Sequence, residues 1–90
     1  MSWNYRVLKT KDVDGSDFWA VHEVYYDDTG RVETWTESHV YPSGENWAEL
    51  SRDVGAYAKA LMQPALDVTS GQAVALTLTG RTKKEPRRKR

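Results

Sequence analysis

Residues 18 to 26, FWAVHEVYY, are apolar on both faces that an extended chain can present. Successive strand residues point to opposite sides. One face therefore carries Phe18, Ala20, His22, Val24 and Tyr26, and the other Trp19, Val21, Glu23 and Tyr25. The run at 3 to 9, WNYRVLK, divides in the same way, with Trp3, Tyr5 and Val7 on one side and Asn4, Arg6 and Leu8 on the other. A solvated sheet face is more polar than any of these. One helix covers one sheet face, so a second face needs its own cover: a partner subunit, the segment at 72 to 79, or a ligand.

The connections are short. TKDVDGSD at 10 to 17 is a run of turn-formers centred on Asp14-Gly15. DDTG at 27 to 30 closes a hairpin, with Gly30 able to take the left-handed conformation that ends a four-residue loop. RVETWTE at 31 to 37 makes a third strand, and the three strands form an antiparallel meander. Pro42 ends the sheet run.

Asn46 caps a helix over 47 to 62, with Glu49 three residues on. Trp47, Leu50, Val54, Tyr57 and Leu61 recur at helical spacing and form the expected core face. On that reading Leu50→Asp unfolds the domain, because a buried unpaired charge costs several kcal/mol. Gly55 weakens the helix and Pro64 stops it. QAVALTLT at 72 to 79 reads as an additional strand.

The net charge of zero conceals a division. Residues 1 to 80 hold six basic and twelve acidic groups, a charge of −6; RTKKEPRRKR at 81 to 90 holds seven basic groups and Glu85, a charge of +6. The body is acidic and the tail basic. Arg81, Lys83, Lys84, Arg87, Arg88, Lys89 and Arg90 give the tail affinity for any polyanion through counterion release. A tail of this composition cannot pack and reads as disordered. There is no cysteine, hence no disulfide, thiol nucleophile or thiolate metal site. No apolar run has membrane-spanning length, and MSWNYRVLK lacks the apolar stretch of a signal peptide. The expected location is the cytoplasm.

HEVYYDD at 22 to 28 concentrates groups that could do chemistry. His22 and Glu23 are adjacent, so on a strand they face opposite ways and cannot form a couple. His22 with His39 and an acid would be a metal site, but two histidines without cysteine are a thin ligand set. Asp27 and Asp28 make the turn. Asp12, Asp14 and Asp17 resemble part of a calcium loop but lack its closing glutamate. No phosphate loop, nucleophile elbow or dinucleotide fingerprint occurs. No catalytic residue, metal or cofactor is implied.

SWNYRV at 2 to 7, HEVYYD at 22 to 27 followed by Gly30, Pro42-x-Gly44-Glu45, Glu49-Leu50, Ala60-Leu61 and Pro64-x-Leu66-Asp67 together resemble a family of small uncharacterised bacterial and phage proteins. Asn46-Trp47-Ala48-Glu49 departs from that family, whose relatives usually carry Ser or Thr and then two Glu before the Leu. The order of meander and Gly-Glu-x-x-x-Glu-Leu helix is similar to HicB-type antitoxins. That resemblance implies a partial RNase H-like fold that binds a toxin.

The expectation is an α+β domain over 1 to 80, a two-layer sandwich of three antiparallel strands packed by one helix, followed by the tail at 81 to 90. The expected function is a non-enzymatic interaction module, a homodimer whose interface includes Trp19, Val21, Tyr25 and Trp35, with a tail that contacts nucleic acid. The alternatives are an acidic inhibitor or antitoxin-like protein that enters the basic cleft of a partner protein, and a small metal-dependent enzyme.

Overall fold

A computed structural model describes residues 2 to 76. It is a sheet-rich α+β fold with elements β1 (Ser2–Lys11), β2 (Asp17–Tyr26), β3 (Val32–Trp35), α1 (Trp47–Ala60), β4 (Leu66–Asp67) and β5 (Val74–Ala75). The sheet is mixed and five-stranded, in the order β3-β2-β1-β4-β5. The α+β class is as expected, but in place of a three-stranded antiparallel layer the sheet has five strands and a parallel pair. Pro64-Ala65-Leu66-Asp67-Val68 returns to the sheet as β4, parallel to β1, with Leu8 opposite Leu66 and Lys9 opposite Asp67. A two-residue strand has no periodicity to read, and parallel pairing needs a long crossover. The strand expected at 72 to 79 contributes β5, antiparallel to β4; residues 77 to 80 lie outside the described residues.

β1 and β2 pair antiparallel over their whole ten-residue length, from Ser2 opposite Tyr26 to Lys11 opposite Asp17. The turn between them is closed by Gly15 N–H donating to Asp12 C=O at 2.9 Å and Asp12 N–H to Ser16 C=O at 2.8 Å. In the next hairpin Asp27 Oδ1 accepts from Thr29 N–H, the Thr29 hydroxyl and Arg31 N–H at 2.7 to 3.0 Å. Gly30 there has φ of +85°, the conformation its position requires.

Opposed residues share a face. Asn4, Arg6 and Leu8 therefore lie on the same side as Val24, His22 and Ala20. The core forms on this face, away from the helix. Leu8 and Val24 have no exposed surface, and Leu66 and Val68 complete a cluster against which Tyr26, Val32, Trp35 and Ala73 pack. The face that needed a cover thus receives it from side chains of the same sheet and the segments that follow β4.

α1 lies over the other face. Tyr5 OH donates to Asp53 Oδ1 at 3.0 Å, Tyr5 and Tyr57 meet edge to face with ring centroids 6.4 Å apart, and Tyr57 OH donates to Val40 C=O at 2.9 Å. Asn46 is the N-cap, its side chain accepting from Glu49 N–H at 2.9 Å. The Glu49 side chain reaches back to Glu45 N–H at 3.0 Å, one residue before the position a capping box uses. Leu61, Met62 and Gln63 close the helix with bonds to carbonyls three residues back. Gly44 admits the chain to this corner: a Cβ there would lie 2.5 Å from the Leu50 nitrogen.

The helix is not oriented as its apolar spacing predicts. Glu49, Asp53, Tyr57 and Ala60 face inward, Ala60 being buried, whereas Trp47, Leu50, Val54 and Leu61 are exposed. Leu50→Asp is accordingly expected to leave the circular dichroism spectrum intact and to cost less than about 1 kcal/mol, as surface substitutions do. Leu8→Ala is expected to remove about 2 to 5 kcal/mol, read from the urea midpoint, because it empties the centre of the core.

Candidate interaction surface

HEVYYDD is the end of β2 and the turn beyond it. His22 is 3% exposed and stands opposite Arg6 on the core side. Its Nδ1 lies 2.9 Å from Thr36 C=O. A carbonyl only accepts, so Nδ1 carries the proton and the ring is held as one neutral tautomer. Burial pushes the His22 pKa below 6.5; the hydrogen bond to Thr36 opposes that shift and nearby His39 adds to it. Glu23 points to the other face and accepts from Tyr25 OH at 2.5 Å. The separation of His22 from Glu23 is thus as strand geometry demands.

His39 meets His22 at 6.3 Å between ring centroids, Phe18 at 5.5 Å and Tyr41 at 4.9 Å. These rings form an aromatic row along the edge of β2. Among the described residues, no group of three His, Asp or Glu side chains is placed to hold a metal. The aspartates of the calcium-like loop are engaged locally: Asp14 with the Ser16 hydroxyl at 2.6 Å, Asp17 with Lys11 at 2.8 Å, and Asp12 with Val13 N–H at 2.8 Å.

An open cleft of about 830 Å³ lies between β1 and the start of α1, lined by Tyr5, Ser43, Gly44, Glu45, Glu49, Arg52 and Asp53. Two of its carboxylates have structural employment. Asp53 accepts from Tyr5 OH and, at 2.7 Å, from Ser43 N–H, while Glu49 holds the helix entry. Burial raises the Tyr5 pKa, and its hydrogen bond to Asp53 adds to the effect. The cleft fastens α1 to the sheet and bears three acids against one arginine.

The residues expected at an interface do not share a face. Trp19, Val21 and Tyr25 lie on the side that α1 covers, and Val21 is buried within the chain. Trp35 pairs with Val24 and packs on the opposite side, against the core. Arg81, Lys83, Lys84, Arg87, Arg88, Lys89 and Arg90 lie outside the described residues.

Among the described residues, Trp3, Phe18, Trp19 and Tyr41 are exposed on or beside the sheet, and a further set of exposed apolar residues lies along the helix. Trp47, Val54 and Leu61 follow at intervals of seven, two turns each, and are 84%, 48% and 64% exposed. Leu50 and Met62 extend the stripe, and Trp47, Leu50, Ser51 and Val54 line an apolar groove of about 220 Å³. Sequence spacing found Trp47, Leu50, Val54 and Leu61 but assigned them to the core. The competing signal was Glu49-Asp53-Tyr57-Ala60, which also recurs every three or four residues. It is too polar to look like a buried face.

The His22 geometry has a consequence for stability. Its pKa is lowered by folding, so the unfolded chain binds the proton more readily and stability rises with pH in this range. Lowering the pH through about 6.5 and below should progressively destabilise the protein, the loss levelling off beneath the folded-state value. His39 and Arg6 are the neighbouring groups that would face the new charge. His22→Gln should remove this part of the pH dependence in urea titrations between pH 7.5 and 5; an unchanged slope would show that the carboxylates carry it instead.

Comparison with protein-family models, curated proteins and solved structures yields no match to this chain.

Proposed function

We propose that this chain is a non-enzymatic interaction module, dimeric, with a basic tail that contacts nucleic acid. The observation that carries the reading is the apolar stripe of α1, exposed on an otherwise well-capped helix. A contiguous exposed patch of this kind marks an interaction site. The engagement of His22, Asp14, Asp27, Asp53 and Glu49 in hydrogen bonds that build the fold supports a scaffold role for these groups. The charge division supports a two-part molecule, with the body meeting protein and RTKKEPRRKR meeting polyanion. The cytoplasm is the proposed setting.

A second reading is an acidic inhibitor or antitoxin-like protein that occupies a basic cleft of its partner. It is favoured by the −6 charge of residues 1 to 80, by the acidic cleft beside α1, and by the similarity to HicB-type antitoxins. A small metal-dependent enzyme is the least favoured reading, since among the described residues no three His, Asp or Glu side chains come together to hold a metal.

Pull-down from lysate with and without nuclease separates the first two. Nuclease-sensitive recovery is expected for the module with its tail, and a discrete basic protein for the inhibitor. A salt titration against one labelled duplex tests the tail directly. If all seven cations met phosphate, the logarithmic salt slope would approach about −6; repulsion from the acidic body makes it smaller. A stop after Gly80 is expected to abolish the binding and leave the thermal melt in place. Equal affinity with and without the tail would refute its role.

A further inference from the structure

Resting on the interaction-module reading, we infer that the α1 stripe is the homodimer interface, and that two copies pair it antiparallel about a two-fold axis at Val54. The stripe is self-complementary. With the axis at Val54, Trp47 of one copy meets Leu61 of the other, and Leu50 meets Ala58. Each large side chain opposes a smaller one. The groove lined by Trp47, Leu50, Ser51 and Val54 lies towards the N-terminal end of the helix, and Leu61 and Met62 project at the C-terminal end. The antiparallel arrangement brings each end to its complement. At about 220 Å³ the groove exceeds the roughly 150 Å³ that admits a benzene-sized group, so a leucine side chain fits it. A parallel pair would instead set groove against groove and align the two helix dipoles unfavourably.

Three further observations choose a second copy as the occupant. Positions 47, 50, 51, 54, 55, 58, 61 and 62 hold no charged residue on a body of charge −6. Two such bodies therefore approach with least repulsion along this side. Ser51, Gly55 and Ala58 are small, and nothing lies within 4 Å of where a Gly55 Cβ would stand. Helix axes can then come to about 8 to 10 Å. Finally, the exposed stripe offers on the order of 500 Å² per chain, taking about 200 Å² for each fully exposed large side chain. Two copies together bury about 1,000 Å², the lower bound for a specific interface. A closed two-fold pair is the commonest assembly that uses one patch twice.

Sedimentation of the full chain across about 1 to 200 µM is the test. Wild type should approach about 20 kDa, twice the 10.3 kDa of one chain. Val54→Asp should sediment as a monomer throughout, with unchanged circular dichroism, since Val54 is half exposed. A wild-type monomer at every concentration overturns the pairing, as does a dimer that survives Val54→Asp. The chain has no cysteine, so single cysteines report geometry independently. Val54→Cys should form a disulfide-linked dimer on oxidation, because the two Cα atoms meet at the axis within about 7 Å. Trp47→Cys should not; a disulfide-linked dimer from Trp47→Cys, which a parallel pair would give together with one from Val54→Cys, overturns the antiparallel arrangement. If the wild type is monomeric yet captures a discrete protein through this stripe, self-pairing fails while the interaction-module reading stands.

Discussion

Leu8 is the point on which the fold turns. It lies in β1, pairs with Ala20 of β2 on one side and with Leu66 of β4 on the other, and has no exposed surface. The ten-residue register between β1 and β2 decides which side chains meet it. Strand side chains alternate, so a slip of β1 by one residue would put Lys9 in its place and turn Leu8 outward. With the register set, Val24, Leu66 and Val68 close around Leu8, and Trp35, Val32 and Tyr26 pack behind them. The core is thus built within the sheet and its curl, without the helix.

That arrangement leaves α1 an unusual role. It meets the sheet through Tyr5 and Asp53, through Tyr57 and the Val40 carbonyl, and through the buried Ala60. Each such hydrogen bond contributes about 0.5 to 1.5 kcal/mol net, against about 1.5 to 3 for burying a large apolar side chain. A helix carrying Trp47, Leu50, Val54 and Leu61 would gain more by turning them to the core. It is instead fastened by its polar edge, and its apolar stripe stays available. The cap at Asn46 and the hydrogen bonds of Asp53 fix the helix rotation that produces this result.

The acidic residues follow the same logic. Asp27, Asp14 and Asp67 each accept from a hydroxyl and a main-chain N–H two residues on, and those bonds lower their pKa values. Lys9 lies 3.6 Å from Asp17 and 3.5 Å from Asp67, tying β2 and β4 across β1, and stands 5.9 Å from the Trp19 ring. Partly solvated pairs of this kind add little stability singly. Their effect is to shape turns and edges, so that a body rich in carboxylates presents a defined acidic surface.

The aromatic and β-branched run at 18 to 26, the DDTG turn and the Asn46 cap were legible in the sequence, because each depends on interactions within a few residues. So was the opposition of His22 and Glu23, which follows from strand alternation alone. The parallel strand at Leu66–Asp67 was not, because its pairing with Leu8 spans 58 residues of chain and its two residues carry no pattern. Nor was the rotation of α1. Periodicity shows that a helix has an apolar side, but not which side the sheet will receive. Here the sheet closes its own core and offers the helix Tyr5, to which Asp53 and Tyr57 answer. Sequence by itself determined the two long strands, the turns and the helix cap. Only the tertiary structure decided that the most hydrophobic side of the helix faces outward, because the core fills the opposite face of the sheet and the near face meets the helix through Tyr5.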